Sequence, residues 1–323
     1  MLKAIWKPLP VSSEWKPVKV DYLLDEATVG SPNCASVGLR ILCNGEGTYY
    51  LDDLSVSRKK KQHLHALKTS ALAMRELHEG AFECTHHSAV LGREKRFSLI
   101  LPSNYEEASA SPLALVLHGD GRDHLSVVGS ETLRACFRES GFVSVFPEGE
   151  RSWYLDSETT PESRFQSWLG ELLELVSEHL NVRRDAGSRA ILGWSMGAFG
   201  AANYVMCHPG AFSTLGTIIG LLDFPNDSYP PDENYPVSAL FPLDRSRWEN
   251  YRAALHPGCF AGMNIIQAVG KSAFDAGMNA AFHQALNDAG IAHRYLEFDG
   301  GHEWSVVAEA MPHLVDFARQ AVR

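Results

Sequence analysis

The stretch "AILGWSMGAFGAA", residues 190–202, decides the fold. Ala190–Gly193 has the texture of a short buried strand, apolar throughout and without alternation. A polar residue, Ser195, then sits at its tip, with Gly193 and Gly197 two positions away on either side. Glycine is needed at both flanks because a side chain there would collide with the neighbouring strand or with the turn. Ala198, Gly200, Ala201 and Ala202 let the following helix lie close against a sheet. A buried strand, a sharp turn and a close-packed helix predict an α/β fold with a mostly parallel sheet.

Outward from that stretch the same alternation continues. Strands are predicted at Phe82–Val90, Arg96–Leu101, Leu113–Leu117, Phe142–Phe146, Ser213–Ile219, Asn264–Val269 and His293–Phe298. Helical patterns lie between them. The clearest runs through Phe165, Trp168, Leu169, Leu172, Leu175, Val176 and Leu180, one apolar face over four turns. Strands alternating with helices argue for a sheet covered on both faces. Reactive groups in such sheets gather at the carboxyl ends of the strands.

The first 57 residues differ. Val18, Val20 and Tyr22, then Val37, Leu39, Ile41 and Cys43, follow a two-residue period. Asn44-Gly45-Glu46-Gly47 signals a turn. A small β segment is therefore expected over 1–57. Leu64, Leu67, Ala71, Met74 and Leu77 then recur at helical spacing, which predicts a connecting helix over 58–80, ending near Gly80.

Composition narrows the function classes. A chain of 323 residues, 45% hydrophobic and 21% charged, is that of an ordinary globular protein. The net charge of −10 argues against nucleic acid as partner. Arg58-Lys59-Lys60-Lys61 stands alone and reads as a solvated linker. No run of about 18 apolar residues marks a membrane span. The six cysteines (Cys34, Cys43, Cys84, Cys136, Cys207, Cys259) have no metal-ligand spacing and read as buried free thiols. The start lacks the apolar core of a signal peptide, so the expectation is cytoplasmic as written, or secreted if the chain is the end of a longer product.

Ser195 needs partners to do chemistry, because a hydroxyl is a poor nucleophile until a base takes its proton. Among the fourteen histidines, His302 has the right place. It lies in "DGGHEW", residues 299–304, directly after the last predicted strand and before the C-terminal helix. His179, His283 and His313 fall on helical faces and His293 in a strand. His63, His65, His86 and His87 have no third ligand at a recognisable spacing, so no metal site is expected. The acid that orients the base should follow the serine and precede the histidine. Asp275, just past the strand Asn264–Val269, fits; Asp223, Asp227, Asp232 and Asp244 are rivals in the preceding loop. Two backbone N–H donors must also meet a developing oxyanion. Met196, after the serine, is one. The loop "HGDG", residues 118–121, supplies the other, assigned to Asp120, with His118 structural.

"LVLHGDG", "VFPEGERSWYLD", "GWSMGAFGAANYVMCHPGAFS", "VGKSAFD" and "GGHEW" occur in one order. Together they resemble the esterase D-like branch of the α/β-hydrolases, with its S-formylglutathione hydrolases, tributyrin-type esterases, and feruloyl and acetylxylan esterases. The likeness runs from about Phe82 to the C-terminus. It implies an α/β-hydrolase fold, with Ser195, His302 and Asp275 as nucleophile, base and acid and with Asp120 and Met196 at the oxyanion hole. It implies no cofactor. Ala198 departs from the commoner glycine. "GEGTYYLDDLSVS" (residues 45–57) resembles the closing strands of jelly-roll carbohydrate-binding modules. Half a sandwich exposes an edge, which would lean on the main domain or on a second copy in a homo-oligomer.

The expected activity is hydrolysis of short-chain acyl, acetyl or feruloyl esters, some of them linked to polysaccharide. Thioester hydrolysis on S-formylglutathione, acyl transfer to an alcohol, and carbohydrate binding with a silent hydrolase domain are the alternatives. The segment 221–259, with six prolines, is long for a loop and reads as a lid or binding wall. It carries Phe224, Tyr229, Tyr235, Phe241 and Trp248. Trp153 and Tyr154 are expected to line the same cleft, and Trp194 and Trp304 to contact substrate; Trp194 alternatively packs under the sheet.

Overall fold

Nine strands pair edge to edge in the computed structural model, which describes residues 72–105, 109–231 and 238–322. They are β1 (Leu72–His78), β2 (Ala81–Ser88), β3 (Arg93–Ile100), β4 (Leu113–Leu117), β5 (Val143–Pro147), β6 (Arg189–Trp194), β7 (Thr214–Ile218), β8 (Asn264–Gly270) and β9 (Arg294–Phe298). The order is β1-β2-β3-β5-β4-β6-β7-β8-β9. The first three strands and the β3–β5 pair are antiparallel. From β5 to β9 every pair is parallel. The fold is α/β, as the sequence predicts.

Side chains of the central strands alternate between two apolar layers. Leu113, Leu115 and Leu117 of β4 enter one layer, Ala114 and Val116 the other. The first layer is covered by α2 (Phe165–His179), α3 (Met196–Cys207) and α4 (Ala276–Asp288), the second by α1 (Glu131–Glu139) and α5 (Trp304–Ala321). Both faces of the central strands β4 and β5 are thus dry, which is why Leu113–Leu117 reads as an unbroken apolar run, whereas the edge strand β9 is partly exposed.

One predicted element is overturned. Leu72–His78 is a strand, not the end of a helix, and it pairs antiparallel with β2 from Leu72↔His86 to His78↔Ala81. Glu79 and Gly80 make the turn, with Gly80 at φ +68°. A helical spacing over so short a run yields to a ladder offered by the neighbouring strand. The jelly-roll segment, the basic run 58–61, Cys34, Cys43 and the proposed helix before residue 72 lie outside the described residues.

Three of the aromatic residues of segment 221–259 differ from the expected cleft lining. Short 3₁₀ turns at Ser238–Leu240, Arg245–Tyr251, Ala253–Leu255 and Pro257–Phe260 carry much of that segment. Phe224, Phe241 and Trp248 are buried, and Phe224 and Phe241 pack around Trp153 and Phe199. They are core, and Tyr235 lies outside the described residues. Of the cysteines, Cys84 is buried, while Cys207 and Cys259 are exposed, against expectation; all three, with Cys136, are free thiols.

Candidate active site

β6 ends at Trp194 and α3 begins at Met196, so Ser195 alone makes the turn, at φ +54°, ψ −121°. A non-glycine residue there is strained by about 1–3 kcal/mol, and such strain persists only where the surroundings enforce it. They do. The Ser195 amide donates to Ile218 O at 3.0 Å, and its carbonyl accepts from Ala198 and Phe199 at 3.0 and 3.1 Å. A Cβ on Gly193 would stand 2.3 Å from Gly197 O, and one on Gly197 would stand 2.1 Å from Leu117 O. Glycine is demanded by backbone contact at both positions.

His302 projects from the loop between β9 and α5. Its Nε2 lies 2.8 Å from Ser195 Oγ, and its Nδ1 lies 2.6 Å from Asp275 Oδ1. Asp275 is 0% exposed and sits between β8 and α4. Its side chain makes no cap bond to the helix; Oδ2 instead accepts from Asn279 Nδ2 at 2.7 Å. Asn279 also donates to Gly220 O at 2.8 Å, tying the acid to the end of β7. Sequence reasoning missed Asn279, although its i, i+4 spacing from Asp275 was a usable signal. Among the rivals, Asp223 pairs with Arg252 and Asp227 with Arg245, Asp244 caps its own turn, and Asp232 lies outside the described residues.

The loop after β4 runs beside the serine. A Cβ on Gly119 would stand 3.1 Å from Ser195 Cβ. Asp120 is gripped by Arg151, Nε to Oδ1 and Nη2 to Oδ2 both at 2.7 Å. His118 is buried, its Nδ1 2.8 Å from Gly119 O and its Nε2 accepting from the Gly149 amide at 2.9 Å. Met196 is the first residue of α3, where N–H groups have no partner within the helix and form the positive end of its dipole. The arrangement can therefore offer a hydroxyl to a carbonyl carbon, with a base against that hydroxyl and a carboxylate behind the base.

Three of the four expected substrate contacts are displaced. Trp153 and Tyr154 are 1% and 0% exposed and belong to the core. Tyr154 is a brace: its hydroxyl accepts from the His118 amide at 3.0 Å and lies 3.3 Å from the His118 carbonyl. Trp194 is buried in the layer under α5, edge-on to Trp304 at 5.7 Å, and supports Gly119 from below. Trp304 stays half-buried, with the Arg122 guanidinium 4.6 Å over its ring. Among the described residues no group of three or more His, Cys, Asp or Glu side chains is arranged to hold a metal ion.

Comparison with known proteins bears on this arrangement. The esterase family, described as "Putative esterase", matches residues 88–316. An esterase of Mycobacterium tuberculosis is 24% identical over 253 residues, covering 67% of this chain and 54% of its own. The chain thus spans about half the length of that curated relative. An S-formylglutathione hydrolase from Agrobacterium tumefaciens superposes with TM-score 0.66 at 18% identity, over 78% of this chain and all of its own. A ferulic acid esterase gives 0.64 at 22% identity, over 75% of this chain and 98% of its own. At such identities the two structures share the fold.

Proposed function

The chain belongs to the esterase family, and on that premise we propose that it is a serine carboxylic-ester hydrolase whose catalytic residues are Ser195, His302 and Asp275. One observation carries the assignment: an unbroken path from Ser195 Oγ to His302 Nε2 at 2.8 Å, and from His302 Nδ1 to buried Asp275 at 2.6 Å. His302 Nε2 takes the serine proton as Oγ attacks the ester carbonyl. Asp275 fixes the imidazole with its proton on Nδ1 and stabilises the imidazolium that forms. The amides of Met196 and Asp120 receive the oxyanion. His302 then gives its proton to the departing alcohol, and water, deprotonated by the same nitrogen, releases the acid from the acyl-enzyme.

Short acyl, acetyl and feruloyl esters are the substrates we favour, polysaccharide-linked ones included. The shared fold does not choose between these and an S-formylglutathione thioester, since both kinds of relative have it. Ser195→Ala should abolish turnover of p-nitrophenyl acetate and labelling by a fluorophosphonate probe while the circular dichroism stays unchanged. Wild-type rates in that variant would overturn the assignment. Relative kcat/KM on methyl ferulate, acetylated xylan and S-formylglutathione then ranks the substrate classes.

A further inference from the structure

Four large apolar side chains are exposed among the described residues, Tyr229, Leu243, Leu255 and Phe274, and two of them stand together beside the triad. Phe274 immediately precedes the acid Asp275. Its ring lies 4.7 Å from the His302 imidazole at a tilt of 35°, yet it is 41% exposed. Tyr229, 36% exposed, comes from the proline-rich segment and meets Phe274 at 6.2 Å and 43°. Its hydroxyl donates to the Phe274 carbonyl at 3.2 Å.

Exposed aromatic residues taken singly are ordinary. These two are held in place. Asn226 and Tyr229 exchange backbone hydrogen bonds at 3.1 and 3.2 Å, and Asn226 Oδ1 accepts from the Tyr229 amide at 3.0 Å. Asn226 Nδ2 donates to Asp223 O at 2.6 Å, and Asp223 is fixed by Arg252 at 2.8 Å. A turn anchored this firmly holds the Tyr229 ring partly exposed against Phe274.

Position relative to the reaction gives the two rings a role. The atom that leaves an ester is the alcohol oxygen, and it leaves towards His302 Nε2, which protonates it. Whatever flanks the imidazole therefore flanks the alcohol, and the acyl chain lies elsewhere. We propose that Phe274 and Tyr229 form the binding surface for the alcohol half of the substrate, and that this alcohol carries a ring with an apolar face, aromatic or sugar, one or two bonds from the ester oxygen. The two rings meet at an angle and so form a notch, suited to one ring stacking on Phe274 with its edge towards Tyr229. This proposal rests on the esterase reading, because it needs His302 to protonate the leaving oxygen.

Three acetates of primary alcohols test it: ethyl acetate, benzyl acetate and methyl 6-O-acetylglucoside. They share one acyl group, so differences arise on the alcohol side. Wild-type kcat/KM should favour one of the two ring-bearing esters over ethyl acetate, and Phe274→Ala and Tyr229→Ala should each shrink that preference, the former about tenfold. Which ester shows the effect tells an aromatic alcohol from a sugar. Phe274→Leu, which keeps an apolar side chain against His302, should shrink the preference less. A uniform fall on all three esters, with the preference intact, would mean that Phe274 only steadies the imidazole and would overturn the proposal. Equal wild-type rates on all three esters would overturn it too, and would leave the esterase assignment standing. A wild-type protein that hydrolyses none of the three and escapes fluorophosphonate labelling overturns the esterase reading itself.

Discussion

Arg151 holds Asp120 by two parallel hydrogen bonds of 2.7 Å, so the residue whose amide is assigned to the oxyanion is fixed by its own side chain. A guanidinium does this with a rigid fork, whereas an ammonium makes only point contacts. Arg151→Ala should lower kcat about tenfold with little change in KM, less than the 10²–10³ lost with an oxyanion donor itself. Arg151→Lys should recover part of that. Because the Arg151 side chain is largely exposed, the stability change should stay under about 1 kcal/mol. Steady-state kinetics beside urea unfolding separates positioning from folding.

Asp275→Asn probes the orientation of the base. The amide retains the shape of the carboxylate but offers His302 Nδ1 no charge, which favours the wrong imidazole tautomer. A kcat loss of about 10⁴ is expected, with KM and circular dichroism near wild type. Loss of less than tenfold would remove Asp275 from the triad.

Two glycines make a paired test of the elbow. Gly197→Ala must displace the Leu117 carbonyl and should cost at least about 3 kcal/mol, at the upper end of overpacking penalties. Gly277→Ala in α4 meets nothing within 4 Å and should add about 0.5 kcal/mol by restricting the unfolded chain. Thermal melts of the two variants should move in opposite directions.

A buried cation supplies a pH test. Burial draws the Lys95 ammonium below the ordinary lysine range, and Glu150 at 2.6 Å opposes this. For Glu150, burial alone would raise the carboxyl, but hydrogen bonds from Arg93 and Lys95 outweigh it and hold it below its ordinary 4.5. A depressed carboxyl contributes stability above the ordinary carboxylate range and loses it as pH falls. Glu150→Gln should therefore cost about 1–2 kcal/mol at pH 7, reduced from a fully buried pair because Glu150 is partly exposed. The gap from wild type should close as pH falls below 4.5. Urea midpoints across a pH series give the curve.

Much of this is legible in the sequence. The central parallel strand Leu113–Leu117 is buried on both faces, so it announces itself as an apolar run and begins and ends where the sequence places it. Ser195, His302 and Asp275 follow strand ends, where chain order and local turn residues locate them. The aromatic residues were harder. Trp153 and Tyr154 look the same in sequence whether they line a cleft or fill a core, because that depends on the distant Phe199, Phe224 and Phe241. Phe274 and Arg151 escaped notice because their partners, His302 and Asp120, lie 28 and 31 positions away and only the fold brings them together. β1 reads as helical in sequence because its pairing with β2 lies outside its own short pattern.

The contact between β8 and the histidine loop has an evolutionary consequence. A Cβ on Gly270 would stand 2.5 Å from Gly301 O, so the backbones carrying Asp275 and His302 touch directly. The loops that carry the two residues are thus one structural unit. A designer who wished to lengthen the histidine loop to admit larger alcohols would have to transplant residues 270–275 along with 299–303. Homologues should likewise change the two loops in step.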